Sequence, residues 1–162
     1  RSVIAMCMHD QDGALGIGLG RIVPRLGFHD LLEQCDIEPG VAPNAPVHLG
    51  GPVDPSRGFI LHSLDWSGQE SVDVAGRWAM SPTIDILKAI AAGRGPSRWV
   101  AALGYAGWSA GQLDGELSRH GWFVTEGDEA LLFDLDAEHR WASAYQGAGI
   151  DPRLLTADYG TA

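Results

Sequence analysis

The stretch Ser97-Arg98-Trp99-Val100-Ala101-Ala102-Leu103-Gly104 constrains this chain more than any other. It is almost continuous in apolar residues and too short for a buried helix. A strand with one wet face alternates apolar and polar side chains, whereas a run without alternation suits a strand covered on both faces. Such a strand lies inside a sheet, and both faces of that sheet need other elements packed on them.

The surrounding segments supply those elements. Arg1 to His9 and Ala14 to Gly20 read as a β-hairpin turning at Asp12-Gly13. In its second arm Leu15, Ile17 and Leu19 share one face and Gly16, Gly18 and Gly20 the other, a bare face that lets another chain segment come close. Phe28, Leu31, Leu32 and Cys35 follow the i, i+3, i+4, i+7 spacing of a helix stripe. Pro46 to Leu49 is a short strand stopped by Gly50-Gly51-Pro52, Gly58 to Ser63 is another, and Glu70–Val74 pairs with Arg77–Met80 around Gly76.

Ser81-Pro82-Thr83 predicts a helix start with Ser81 as cap, and Ile84, Leu87, Ile90 and Ala91 form its stripe up to Gly93. Ser109-Ala110-Gly111-Gln112 fits a capping box with Trp108 and Leu113 as staple, opening a helix that runs to Gly121. Trp122–Thr125 and Leu131–Phe133 read as strands. Asp136 caps a last helix with Ala137, Trp141, Ala144, Tyr145 and Ala148 facing inward. The sum is a single α/β (α+β) domain, a mixed β-sheet with about four helices packed on it.

Charge narrows the function. Eleven basic residues stand against 21 acidic ones, a net charge of −10, and Lys88 is the single lysine. Phosphate neutralisation by Lys and Arg drives nucleic-acid binding, so direct nucleic-acid contact is disfavoured, as is an anionic membrane surface. No apolar run approaches the roughly 20 residues of a membrane span. The expectation is a soluble, cytosolic protein. Cys7 and Cys35 match neither a redox pair nor a zinc site, and both read as buried, inert thiols.

Two glycine-rich turns are the candidate ligand-binding sites. Gly50 and Gly51, with Arg57 and His62 nearby, form a backbone-exposed turn of the kind that makes anion nests, and Arg57 could grip a carboxylate or phosphate. Gly104, Tyr105 and Trp108 lie in the junction between the apolar run and the Ser109 helix, where free amides and two aromatic rings could wall a pocket. The competing explanation for both is geometry: loop glycines and a satisfied cap. Gly16-Ile17-Gly18-Leu19-Gly20 lies in a strand rather than opening a helix and is not a dinucleotide site. Asp10-Gln11-Asp12-Gly13 lacks the remaining ligands of a calcium loop. His48 and His62 flank the glycine turn, but no ligand spacing supports a metal. The residues therefore yield no catalytic set, no cofactor and no metal site.

Several stretches together resemble the bacterial AlgH family, also called the YqgE family. They are Arg1-Ser2-Val3-Ile4, Asp12 to Ile17, Leu49 to Val53, Arg57 to His62, and above all Ala102-Leu103-Gly104-Tyr105-Ala106-Gly107-Trp108-Ser109-Ala110-Gly111-Gln112-Leu113, followed by Glu116, Trp122, Arg140-Trp141 and Gly149-Ile150-Asp151-Pro152. The resemblance runs in order through essentially the whole chain. It implies one cytosolic α/β domain over 1–162 built on a mixed sheet. It also implies a regulatory role, the family being labelled a transcriptional regulator from a link to alginate production, and no reaction or ligand. Two features depart from the family pattern. Family members carry an Asn with Lys or Arg and then Pro where this chain has Gly20-Arg21-Ile22. They also carry an N-terminal strand with its connection, about twenty residues, that is missing here. The combined expectation is a non-enzymatic regulator acting through an unidentified protein or small-molecule partner. The alternative is an anion-binding or enzymatic domain built on the Gly50-Gly51 turn with Arg57 and His62.

Overall fold

The computed structural model describes residues 1–155. Its first hairpin is β1 (Ile4–Asp10) and β2 (Gly13–Gly18), closed by a turn in which the Asp12 amide donates to Asp10 Oδ1 at 2.8 Å. Then come β3 (Ile22–Gly27), α1 (Phe28–Gln34), β4 (Pro46–Leu49) and β5 (Val53–His62). A second hairpin, β6 (Val72–Val74) and β7 (Trp78–Ser81), leads to α2 (Ile84–Ala91). The apolar run lies in β8 (Trp99–Ser109), followed by α3 (Gln112–Ser118), α4 (Glu129–Phe133), α5 (Ala137–Gly147) and a 3₁₀ turn at Pro152–Leu154.

β8 is the axis of one mixed eight-stranded sheet ordered β1-β2-β8-β5-β7-β6, with β3 paired to β4 and β4 to β8. Its first half runs parallel to β4, from Val47↔Ala101 to Leu49↔Leu103, and antiparallel to β5, from Gly58↔Leu103 to His62↔Trp99. Its second half runs antiparallel to β2, from Gly16↔Ala106 to Gly13↔Ser109. The expectation of a strand covered on both faces is met. Val100 and Ala102 pack with Phe59, Leu61, Ile17, Leu19 and Trp78, in a core enclosed as the sheet curls and β1 approaches β6. Ala101 faces the other way, into Phe28, Leu32, Val47, Ile60, Ile86 and Ile90, beneath α1 and α2. Each fully buried side chain of this kind contributes roughly 1.5–3 kcal/mol.

Several expectations are corrected. Ser81 does not cap α2; it ends β7, buried, and Thr83 takes the cap position. The α2 stripe is shifted, with Ile86 buried and Ile84 exposed. Ser109 does not open a helix, because the strand runs through it and α3 starts at Gln112 behind a left-handed Gly111 (φ 72°). Half of the expected box survives: Gln112 Oε1 accepts from the Ser109 amide at 3.0 Å. Residues 122–125 form no strand, and Leu131–Phe133 is part of α4, where Asp128 Oδ1 accepts from the Leu131 amide. Cys35 is exposed at the end of α1, whereas Cys7 is buried. Burial pushes the Cys7 thiol up to about 12, which keeps it protonated. In α5 the buried residue is Arg140, while Ala148 is exposed. The described residues hold five α-helices, in keeping with the expected mixed sheet with about four helices on it, and no helix among them is long and apolar enough to cross a membrane.

Candidate functional site

The two glycine turns meet, and they fill each other. The Gly50 amide donates to the Leu103 carbonyl at 2.8 Å, and the Gly18 amide donates to the Gly50 carbonyl at 2.7 Å. A Cβ on Gly50 would strike the Gly104 carbonyl oxygen, one on Gly51 the Tyr105 backbone, and one on Gly104 the Gly51 carbonyl oxygen. Gly104 also takes a left-handed φ of 74°, which suits glycine. Backbone occupies the space between the two turns, so together they enclose no pocket.

Opposite Gly104, β5 bulges. Its register against β8 jumps from Val53↔Tyr105 to Gly58↔Leu103, so residues 54–57 face a single residue of β8, and Asp54 is left-handed at φ 43°. This exposed bulge parts its side chains to the two faces of the sheet. The Arg57 guanidinium lies over the Phe59 ring at 5.2 Å, and Phe59 meets Tyr105 edge-on at 5.7 Å. Ser56 borders a groove on the other face. Trp108 stands apart from both: its Nε1 donates to Glu116 Oε2 at 3.2 Å beside Trp122 Nε1 at 2.7 Å, and the two indoles meet edge-on at 6.1 Å. These donors, Trp122 first, hold the Glu116 carboxyl below its ordinary value.

The groove has a volume of about 220 Å³. Leu31, Ile60, Leu87 and Leu103 give it apolar walls between α1, α2 and β5, and Cys35, Ser56 and Thr83 bring polar groups to it. Among the seven residues singled out from sequence, none lines it. His62 stands one layer behind, fully buried, and connects to it through Ser81, which does.

The hydrogen bonds around His62 fix a direction. Its Nδ1 lies 2.8 Å from the Ser63 carbonyl, which can only accept, so Nδ1 carries the proton. Nε2 therefore presents its lone pair to the Ser81 hydroxyl at 2.8 Å. Ser71 Oγ accepts from the Gly68 amide at 2.8 Å and gives its own proton to Ser81 Oγ at 2.6 Å. Burial, more than any other influence, lowers the His62 pKa, so the imidazole is neutral around pH 7. Sequence reading found His62 but took Ser81 for a cap and passed over Ser71. His62 and Ser81 lie 19 residues apart, in strands that only the sheet brings side by side, so no spacing signals the pair.

His48 does not converge with His62. Its register partner, Ala102, belongs to the opposite face. His48 Nδ1 donates to the Ala101 carbonyl at 2.9 Å, and Nε2 accepts from Arg140 Nη1 at 2.7 Å. Arg140, only 2% exposed, also donates to the carbonyls of Leu19 at 2.9 Å, Leu131 at 3.1 Å and Leu132 at 2.8 Å. One guanidinium thus ties α5 to α4, β4 and the end of β2. Its four acceptors are neutral, and burial lowers its pKa. Burial likewise brings His48 down to about 4.

The comparisons with known proteins agree with this architecture. A protein from Rhizorhabdus wittichii named "UPF0301 protein" is 54% identical over the whole chain, which covers 87% of that relative. A protein of the same name from Sphingopyxis alaskensis is 56% identical over 99% of this chain and 86% of its own length. The solution structure of the AlgH protein from Pseudomonas aeruginosa superposes with a TM-score of 0.82 at 39% identity, covering all of this chain and 86% of that one. Protein DIP2367 from Corynebacterium diphtheriae shares the fold at 19% identity, with a TM-score of 0.69 over 91% of this chain and 77% of its own. With residues 1–153 matching the family described as AlgH-like, DUF179, the chain belongs to that family.

Proposed function

We propose that this protein works by binding, seating a small, largely apolar molecule in the groove between α1, α2 and β5. The carrying observation is the groove itself, about 220 Å³, with apolar walls and polar groups from Ser56, Ser81 and Thr83 around it. That is the make-up of a ligand site, apolar with a few placed polar groups, although it is smaller than the roughly 300–1,000 Å³ that encloses a drug-sized molecule. That size suits a small ligand, or one apolar side chain of a protein partner, through which a regulatory role would act. The net charge of −10 favours such a partner over nucleic acid.

Gly58 offers a clean test. It lines the groove, its φ is not left-handed, and nothing lies within 4 Å of where its Cβ would be. Gly58→Leu should close the groove and leave the fold intact. Amide spectra titrated with 1-hexanol and indole should shift at the end of α1, in β5 and at the start of α2, and those shifts should vanish in Gly58→Leu. Shifts confined to the Arg57–Tyr105 face, or unchanged in the variant, would refute the reading.

A further inference from the structure

We propose that Ser81 is a nucleophile activated by His62, and that the molecule taken into the groove is an acyl ester which this pair cleaves. The inference rests on the groove as the binding site and adds a substrate class and a reaction to it. Three observations carry it. The Ser81 hydroxyl donates to His62 Nε2 at 2.8 Å, within the reach a nucleophile and its general base require. The Ser63 carbonyl holds the imidazole by Nδ1–H at 2.8 Å, in the tautomer that leaves Nε2 free to accept. Ser81 also lines the groove, while His62 has no exposed surface. Ser81 is itself only 1% exposed, so the ester, the departing alcohol and water all come to Oγ and Nε2 from the groove side, as its walls part.

The neighbours fix the direction of the Ser81 proton. Ser71 donates a hydrogen bond to Ser81 Oγ at 2.6 Å, which leaves the Ser81 proton directed at His62 Nε2. Thr83 and Ile84, at the start of α2, line the same groove. The Thr83 hydroxyl accepts from no α2 amide and donates to Asp85 Oδ1, which also accepts from the Ile86 amide at 3.0 Å.

The steps balance without any further reagent than an ester and water. Ser81 Oγ bonds to the acyl carbon as its proton passes to His62 Nε2. The bond from that carbon to the alcohol oxygen breaks, and the alcohol leaves with the proton from Nε2. Water then gives a proton to Nε2 and attacks the acyl carbon, the bond to Ser81 Oγ breaks, and the acid departs as Ser81 recovers its proton.

The probe is p-nitrophenyl butyrate with the whole chain, followed by intact mass and peptide mapping. The expected result is a nitrophenol burst approaching one per chain, with a butyryl mass on the peptide holding Ser81. Ser81→Ala should abolish the burst. His62→Gln should slow acylation by roughly 10²–10⁴-fold. Because either variant could fail to fold, melting is measured alongside, and the wild-type chain is also labelled with a fluorophosphonate, whose adduct needs no variant to locate. An adduct on exposed Cys35 alone, a burst that survives in folded Ser81→Ala, or no adduct at all would overturn the proposal. Groove shifts with 1-hexanol but no Ser81 adduct would sink the chemistry and leave the binding site standing. Neither shifts nor adduct would remove both.

Discussion

Acid should loosen this fold through His48 in a measurable and separable way. The ring is held neutral because one nitrogen faces the Ala101 carbonyl and the other the Arg140 guanidinium. A proton on Nε2 would set donor against donor in a buried place. The folded value is about 4, against about 6.5 for an unfolded histidine. Between those values the unfolded chain binds the extra proton, so stability rises with pH. The contribution is complete above pH 6.5 and is lost as pH falls towards 4. Moving from pH 7.5 to 4.5 should remove about 2.5 kcal/mol from this one group. In a chain of this size that corresponds to a melting point lower by roughly 5–10 °C. His62 shifts in the same direction, so a control is needed to isolate His48. His48→Gln keeps a carbonyl oxygen for Arg140 and removes the titration. Urea unfolding followed by tryptophan fluorescence, at pH 4.5, 5.5, 6.5 and 7.5, gives the two stability curves. Wild type minus variant should fall steadily below pH 6.5. A difference that is flat from pH 7.5 to 4.5 would refute the argument.

Three further substitutions probe other parts of the scaffold. Gly104→Ala should cost at least ~2 kcal/mol, combining a left-handed backbone with a clash on the Gly51 carbonyl; Gly76→Ala, left-handed but with open space around it, should cost about half as much, and equal melting points would show that the crossing is not tight. Glu116→Ala should free both Trp108 and Trp122, changing the near-ultraviolet circular dichroism and lowering the melting point; an unchanged spectrum would mean the two indoles are held by other contacts.

The sequence made the sheet legible where periodicity carries the information. Trp99–Leu103 announced a strand covered on both faces, and the first hairpin followed from Asp12-Gly13. The bare glycine face of the second arm correctly anticipated a close approach, since a Cβ on Gly18 would sit 2.6 Å from the Leu49 carbonyl oxygen. The misreadings share a cause. Ser81 and Ser109 look like helix caps locally, but pairing with β5 and β2 keeps both residues in strands. Leu131–Phe133 lacks alternation either way, and the Asp128 cap decides for helix. The site was less legible than the fold. Arg140 lies on a helix that looked lined by aromatics and alanines, and its partners come from positions as distant as Leu19. Ser71 and Ser81 come within hydrogen-bonding reach of one another and of His62 only after the second hairpin and β5 have been laid together.

The central place of β8 dictates when this protein can fold. β8 joins β2, β4 and β5, all of which leave the ribosome before it. At about 5–20 residues per second, the 47 positions from His62 to Ser109 take roughly two to nine seconds to synthesise. For that interval the nascent chain carries three strands whose common neighbour does not yet exist, with apolar faces and open edges turned to the cytoplasm of whatever cell makes it. A ribosome stalled before Trp99 would leave three strands without their shared neighbour, and the sheet closes only once the last residues of β8 have joined β2.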